Sequence, residues 1–223
     1  MEFVDQRNRR RFAFATLAAY ACAALVAGSV PLLTIGLFPD FGPDPLAARR
    51  RITEMMRLMN YVRLGAWGAG AIAILAVAAW VQGACANLEA LPAADAPMNR
   101  WVATALVLIP GVNLIGAPVV MWLLLRASKE GAGERGDWFR FSGTQLVGVW
   151  VAVFLASTLT AVYVMLTFEP SASMSDLANL QLMLLTIRLL DIVFAGVTAM
   201  LLHRVDQLQE ASRDDVVSVD VFA

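Results

Sequence analysis

The sequence predicts an all-α fold, a bundle of helices that crosses a membrane several times. Of the 223 residues, 59% are hydrophobic and 16% are charged, whereas a soluble domain averages about 25% charged residues. The mean hydropathy is +0.66. Five apolar stretches also approach the roughly 20 residues that a helix needs to cross the hydrocarbon core of a bilayer. A low charge content and stretches of this length are expected when the outer faces of helices meet lipid.

The five apolar segments differ in how continuous they are. In chain order they are residues 12–38, 64–84, 101–125, 144–168 and 180–202. The third is interrupted at Ile109-Pro110-Gly111 and again at Pro118, and proline ends or kinks a helix because it lacks a backbone N–H. This segment is therefore either a kinked full span or a re-entrant one that returns to its starting side, with its broken backbone buried or lining a cavity.

Charged and amphipathic stretches divide the rest of the chain. The divisions are a basic N-terminal segment at residues 1–11, an integral membrane domain at 12–209 and an acidic tail at 210–223. Asp44-Pro45 is a helix-start signal, and apolar residues then recur at helical spacing. This pattern predicts an amphipathic surface helix over residues 45–63 that runs into the second span. The tail is predicted to be disordered, except that Val216–Phe222 alternates like a short strand.

The distribution of lysine and arginine conflicts with five full spans. Cytoplasmic loops normally carry the excess of these residues. If the N-terminus is cytoplasmic and all five segments cross, the arginines of residues 49–63 and the basic residues of 126–140 both fall outside. Either the N-terminus is outside, or the third segment re-enters and leaves most basic residues inside. The sequence leaves the orientation open.

Several classes of function lack their sequence signature. The net charge of −1 gives no indication of a nucleic-acid partner. Cys22 and Cys85 form no CxxC pair and His203 is the single histidine, so the residues support no disulfide, metal site or histidine-based catalysis. Neither HExxH nor GxSxG is present. The sequence therefore predicts a protein that is not an enzyme and that has no cofactor.

The stretch from Trp80 to Ser128 carries a recognisable series of residues. In order, the series is Trp80, Asn87, Trp101, Ile109, Pro110, Asn113, Leu114, Pro118 and Arg126. It resembles a bacterial family of uncharacterised multi-pass proteins, domain-of-unknown-function family 4328. Residues 203–209 are similar to the basic exit and nearby glutamine of that family, whereas residues 115–125 are more apolar than its members. The resemblance covers most of the chain, implies an integral membrane protein and brings no established activity.

Four polar side chains in apolar surroundings form the candidate functional site. Arg188 and Asp191 lie near the middle of the fifth segment, three residues apart and so on one helix face. Gln181 lies two turns before Arg188. A charge at this depth needs an interior partner or a wet cavity, so the pair either neutralises itself or lines a pathway or binds an anionic headgroup. Asn113, after the proline break, either satisfies freed carbonyls or coordinates an ion.

Small, hydroxyl-bearing and aromatic residues predict how the helices meet one another and the membrane. Two faces of small residues are Ala15, Ala19, Ala23 and Ala27 on the first segment, and Gly65, Gly68, Gly70 and Ala73 on the second. Such faces allow close helix contact, either with each other or with another copy of the chain. We expect Ser157 and Thr160 to bond between helices, and Trp80, Trp101 and Trp122 to anchor at membrane interfaces.

These observations favour a non-enzymatic scaffold or regulatory accessory of a membrane complex. The expected partners are the lipid bilayer and either another membrane protein or further copies of this chain. The alternative is a small oligomeric channel or transporter that uses the Arg188–Asp191 stripe. The expected location is the bacterial cytoplasmic (inner) membrane, which the chain crosses several times.

Overall fold

A computed structural model describes residues 6–37, 45–90, 98–109, 111–132, 143–167 and 174–221. The helices are α1 (Arg7–Leu37), α2 (Pro45–Ala90), α3 (Arg100–Leu108), α4 (Asn113–Ala132), α5 (Gly143–Thr167) and α6 (Met174–Val221). Every regular element in these ranges is helical, so the all-α prediction is confirmed. Phe38, Pro110 and Phe168, which bounded or interrupted predicted segments, lie outside the described residues.

Four helices in the described part of the chain are long and apolar enough to cross a membrane. Their candidate spans are Arg7–Val30, Arg57–Ala90, Gln145–Val164 and Asn179–Arg213. Large apolar side chains such as Leu25, Leu75 and Leu159 are exposed on the outside of these helices. An apolar outer surface is costly in water and is stable against lipid tails. The chain is a membrane protein.

The third predicted segment consists of two helices. α3 ends at Leu108, Ile109 is extended with φ −74° and ψ 116°, and Gly111 has φ +83°. Glycine adopts a positive φ at little cost because it has no Cβ. A Cβ built on Gly116 would lie 2.8 Å from the carbonyl oxygen of Leu106, so α4 folds back against α3. We call this pair of helices the hairpin.

Helices continue through two stretches where the sequence predicted an interruption, so disorder or a strand in the tail is wrong for residues 210–221, whereas a kink at Pro118 stays a prediction. α4 passes through Pro118, which sits in its second turn and so removes only one backbone hydrogen bond. α6 continues to Val221, through the acidic stretch that was expected to be disordered or to pair as a strand. Leu208 and Gln209 of that region are buried, and tertiary packing of this kind outweighs weak local preferences.

The flanking stretches join the spans as continuous helix. α1 begins at Arg7, so residues of the predicted basic segment form its first turns. The stretch predicted as a surface helix, residues 45–63, is continuous with the second span in α2. α2 starts at Pro45, as the start signal predicted.

The chain divides into two compact units, and each of the four long helices contributes residues to both. The first unit contains Met1–Thr16, Ile72–Val151 and Gly196–Ala223, and the second contains Leu17–Ala71 and Ala152–Ala195. The core of the first unit is built from Trp80, Val81, Leu88, Val120, Met121, Leu124, Leu201, Leu202 and Val205. In the second unit, the rings of Phe154 and Phe194 pack with their centroids 5.5 Å apart.

The predicted small-residue faces are only partly used inside the chain. Ala15 and Ala19 of α1 are exposed. Gly65 and Gly68 of α2 have no described atom within 4 Å of a built Cβ, whereas Ala73 is buried. These four exposed positions therefore face lipid or another chain, and the contact within the chain uses other residues.

Candidate functional site

The charged pair predicted on the fifth segment forms in the second unit. Nη1 of Arg188 lies 3.0 Å from Oδ2 of Asp191, three residues further along α6. The two side chains are only 13% and 12% exposed. In such surroundings a charge is stable only when an opposite charge and hydrogen-bond donors compensate for the lost water.

Further groups complete the surroundings of this pair. Ser157 of α5 donates its hydroxyl to Oδ1 of Asp191 at 3.1 Å. The phenol of Tyr20, on α1, lies near the same carboxylate. Gly28 of α1 packs on Arg188, since a Cβ built on this glycine would be 3.3 Å from Cβ of the arginine. Groups from three helices therefore enclose the ion pair.

The two hydroxyls predicted to bond between helices behave differently. Ser157 does so, and that prediction is confirmed. Thr160 donates at 2.7 Å to the carbonyl of Ala156 on its own helix, so the prediction is wrong there. A threonine within a helix can always reach the carbonyl four residues earlier, and this local bond competes with contacts to a neighbouring helix.

The other two predicted site residues, Gln181 and Asn113, belong to different units. Gln181 belongs to the second unit and is 4% exposed, and its Oε1 has no hydrogen-bond partner among the described residues. Asn113 belongs to the first unit, where it is the first residue of α4. Its backbone N–H donates to the carbonyl of Ile109 at 3.0 Å, which bridges the break between α3 and α4.

A second buried charged cluster lies in the first unit. Trp80 is fully buried, and its Nε1 donates to Oδ1 of Asp206 at 3.0 Å. Nη1 of Arg10 lies 3.5 Å from Oδ2 of Asp206 and 3.7 Å from Oε1 of Glu210. A buried indole N–H needs an acceptor, and the carboxylate supplies it. Trp80 is therefore a core residue, and the prediction that it anchors at a membrane interface is wrong.

Gln209 links three helices beside this cluster. Its Nε2 donates to the carbonyl of Ala84 at 3.1 Å and to the hydroxyl of Ser128 at 3.3 Å. These residues lie on α6, α2 and α4, and all three are buried. The amide thus ties the end of the hairpin to two long helices. Oε1 of Gln209 has no partner within the described ranges.

The first turn of α1 completes the cluster. Arg9 donates from Nη1 to the carbonyl of Ala79 at 3.2 Å. Gln6 is buried against Gly83, where a built Cβ would lie 2.8 Å from Oε1 of the glutamine. The atoms closest to this Cβ are the ends of two flexible side chains, Gln6 and Arg9, so a methyl group at this position would require them to shift.

The residues that carried the family resemblance all lie in the first unit. Trp80 and Asn87 are buried, Asn113 and Pro118 are half-buried, and Trp101, Ile109, Leu114 and Arg126 are exposed. Pro110 lies outside the described residues. The series therefore marks the core of α2 and the course of the hairpin, and it does not include the Arg188–Asp191 pair.

The polar cluster of the first unit has no clear signature in the sequence, because its charges lie at the ends of apolar runs, where charged residues are common. One signal was available. Asp206 follows Leu202 by one helical turn and so continues the face on which apolar residues are buried. Its partner Trp80 is 126 positions away, and local spacing does not report on contacts at that separation.

Comparison with known proteins gives a family and no function. The sequence-family model described as "Domain of unknown function (DUF4328)" matches residues 46–207. No curated protein and no solved structure matches the chain. The matched range contains Trp80, Asp206, Arg188 and Asp191, so it includes the central residues of both buried clusters.

Proposed function

We propose that this chain, a member of the DUF4328 family, is a non-enzymatic scaffold or regulatory accessory subunit of a membrane complex. The proposal rests on the ion pair between Arg188 and Asp191, two largely buried side chains that neutralise each other. Ser157 also donates to the carboxylate, so both charges are satisfied by the chain itself. A transport site instead presents a charge that exchanges partners with its substrate. An ion pair that is neutralised within the chain stabilises the helix bundle. Contacts with a partner protein are then made by the outer surface of the helices.

The exposed face of α2 suits a helix from another membrane protein or from a second copy of the chain. Among the residues that the structure describes, none lies within 4 Å of a Cβ built on Gly65 or Gly68. Leu64 and Trp67 beside them are exposed. Small residues allow two helix backbones to approach closely, which is how helices associate where lipid removes the hydrophobic driving force. This combination supports an accessory role.

The proposed location is the bacterial cytoplasmic membrane, with both ends of the chain in the cytoplasm. The contact of 3.5 Å between Arg10 and Asp206 brings the start of α1 close to the last two turns of the candidate span Asn179–Arg213, as an even number of spans requires. With a re-entrant hairpin, the basic residues near both chain ends and those of 126–140 fall on one side. Such an excess of positive charge is characteristic of the cytoplasmic side.

The test is extraction into native-lipid nanodiscs, followed by mass spectrometry of everything that co-purifies. The proposal predicts a protein partner, or a second copy of the chain, at fixed stoichiometry. Gly65→Leu should weaken this association, and Gly148→Leu is the matched control because Gly148 also has open space around a built Cβ. Repeated isolation of a single chain without a partner contradicts the proposal.

A small oligomeric channel or transporter is the second candidate, and one observation favours it. The buried Oε1 of Gln181, two turns before Arg188, has no partner among the described residues, so the polar stripe extends beyond the closed pair. This candidate predicts ion flux in proteoliposomes that Arg188→Leu abolishes in a folded protein. Absence of flux from the wild-type protein across common ions rejects it.

A further inference from the structure

One side of α2 carries two opposite charges in line with two glycines. Glu54, Arg57, Tyr61, Gly65 and Gly68 are all exposed. A helix turns by about 100° per residue, so these five positions fall within a sector of about 80°. All five belong to the second unit. We call this set of residues the Glu54–Gly68 face.

The two charged side chains of this face have no partner within the described part of the chain. Glu54 and Arg57 are three residues apart, a spacing at which opposite charges on one helix can pair. Nevertheless, neither side chain forms an ion pair or a hydrogen bond with another residue that the structure describes. The candidate span of α2 begins at Arg57. Both charges therefore lie at one end of the span, where charged groups are less costly than at its middle.

The glycines of the face allow a second helix to approach. None of the described residues lies within 4 Å of a Cβ built on Gly65 or Gly68. Positions without side chains let two helix backbones come close together in lipid. Tyr61 lies one turn before Gly65 and is 64% exposed, so its ring is available to pack against that second helix.

We propose that the Glu54–Gly68 face binds the same face of a second copy of the chain in a parallel dimer with two-fold symmetry. In such a dimer the same surface of both copies forms the contact, so this surface must be complementary to itself. A face with one acidic and one basic residue, one turn apart, meets this condition. Glu54 of each copy then pairs with Arg57 of the other, which gives two ion pairs in one contact.

The geometry of helix packing permits both ion pairs. Near-parallel helices cross at about 20° with their axes about 8 Å apart. If the two axes cross between Gly65 and Gly68, Arg57 lies about 14 Å along the helix from the crossing point. The axes are then about 10 Å apart at the level of Glu54 and Arg57. Because a helix with its side chains is about 10–12 Å wide, these side chains meet.

The inference rests on the accessory role proposed above and names a second copy of the chain as the occupant of this side of α2. The test measures dimerisation of the full-length protein in liposomes by energy transfer between copies that carry a donor and copies that carry an acceptor. The wild-type protein should dimerise. Glu54→Arg and Arg57→Glu should each weaken dimerisation by about tenfold or more, because each places like charges opposite one another in two exposed ion pairs.

The variant with both substitutions is the decisive one. Glu54→Arg together with Arg57→Glu exchanges the two charges and restores opposite charges across the contact. This double variant should therefore dimerise about as well as the wild-type protein. Recovery of this kind requires that the two positions face each other, and a general effect of the net charge of α2 does not produce it.

Arg63→Glu is the matched control on the same helix. Arg63 is exposed but lies about 120° around the helix from Arg57. Its Nη2 donates to the side chain of Asn60 at 3.1 Å, and its Cζ lies 5.2 Å from the centroid of the Trp67 ring. Reversal of this charge should leave dimerisation unchanged. Circular dichroism checks that each variant is folded. If the charge variants do not fold, Gly68→Leu replaces them and should weaken dimerisation, whereas Gly148→Leu should not.

Several results would overturn the inference. One is a monomeric wild-type protein, and another is a dimer that both single charge variants leave intact. Failure of the folded double variant to dimerise would also overturn it. Co-purification separates this inference from the accessory role. A different protein at fixed stoichiometry with a monomeric chain overturns the dimer alone, whereas a monomeric chain without any partner overturns both.

Discussion

The indole N–H of Trp80 and the carboxylate of Asp206 are joined by a 3.0 Å hydrogen bond that connects α2 to α6. Trp80 is fully buried and Asp206 is 5% exposed. The second oxygen of the carboxylate pairs with Arg10, so one acidic side chain holds both the beginning of α1 and the last third of α2. A buried carboxylate with both oxygens engaged fixes the packing of these helices more specifically than apolar contact alone.

Asp206→Ala should destabilise the protein by about 3 kcal/mol, because it leaves the partly buried guanidinium of Arg10 and the buried indole N–H of Trp80 without their acceptor. The measurement is unfolding of the protein in mixed micelles, followed by helical circular dichroism as the fraction of denaturing detergent rises. Glu210→Gln is the control, since its side chain is 63% exposed, and it should cost less than about 0.5 kcal/mol. Equal effects of the two substitutions would show that Asp206 has no special role.

Gly116→Ala should destabilise the hairpin by about 1–3 kcal/mol, because the added methyl would meet a backbone atom that cannot rotate away. A built Cβ lies 2.8 Å from the Leu106 carbonyl oxygen. Gly148→Ala has open space around the new methyl and serves as the control. The same unfolding assay measures both, and a Gly116 variant as stable as the Gly148 variant would mean that the two helices do not approach this closely in the membrane.

Side-specific labelling distinguishes a re-entrant hairpin from a full crossing. Arg7→Cys and Arg213→Cys, each in a Cys22→Ala background, should react with a membrane-impermeant thiol reagent from the same side of right-side-out and inverted vesicles. Four spans place the two chain ends together, whereas a fifth crossing by the hairpin separates them. Arg50→Cys should react from the opposite side. Reaction of the two end positions from different sides would contradict the four-span topology.

The sequence predicted the contacts that depend on local spacing and missed those that connect distant helices. Arg188 and Asp191 were found because both lie within one apolar run and are three residues apart. The Trp80–Asp206 contact joins positions 126 residues apart. A tryptophan near the end of a span can meet either lipid headgroups or a buried carboxylate, and its local sequence does not distinguish the two. The sequence therefore predicts an interfacial position for Trp80, whereas the residue is buried against Asp206.

The helical hairpin shows a similar limit. The Ile109-Pro110-Gly111 interruption predicted that the helix would break, and α3 and α4 are indeed separate. The direction of the chain after the break depends on the contact between Leu106 and Gly116 and on the bond from Gln209 to Ser128. Each joins residues from different helices, so the sequence left a kinked span and a returning hairpin as alternatives.

The most direct test of the central claim, that the intramembrane charges are satisfied inside the chain, is a double-mutant cycle on Arg188 and Asp191. Either Arg188→Leu or Asp191→Leu alone should lower the free energy of unfolding of the protein by about 3–5 kcal/mol, because each leaves one buried charge without its partner. The double variant should be more stable than either single variant, which corresponds to a coupling energy of about 3 kcal/mol or more. Additive effects, or an Arg188→Leu protein as stable as the wild type, would contradict the claim and would favour a pair that is open to an outside ligand.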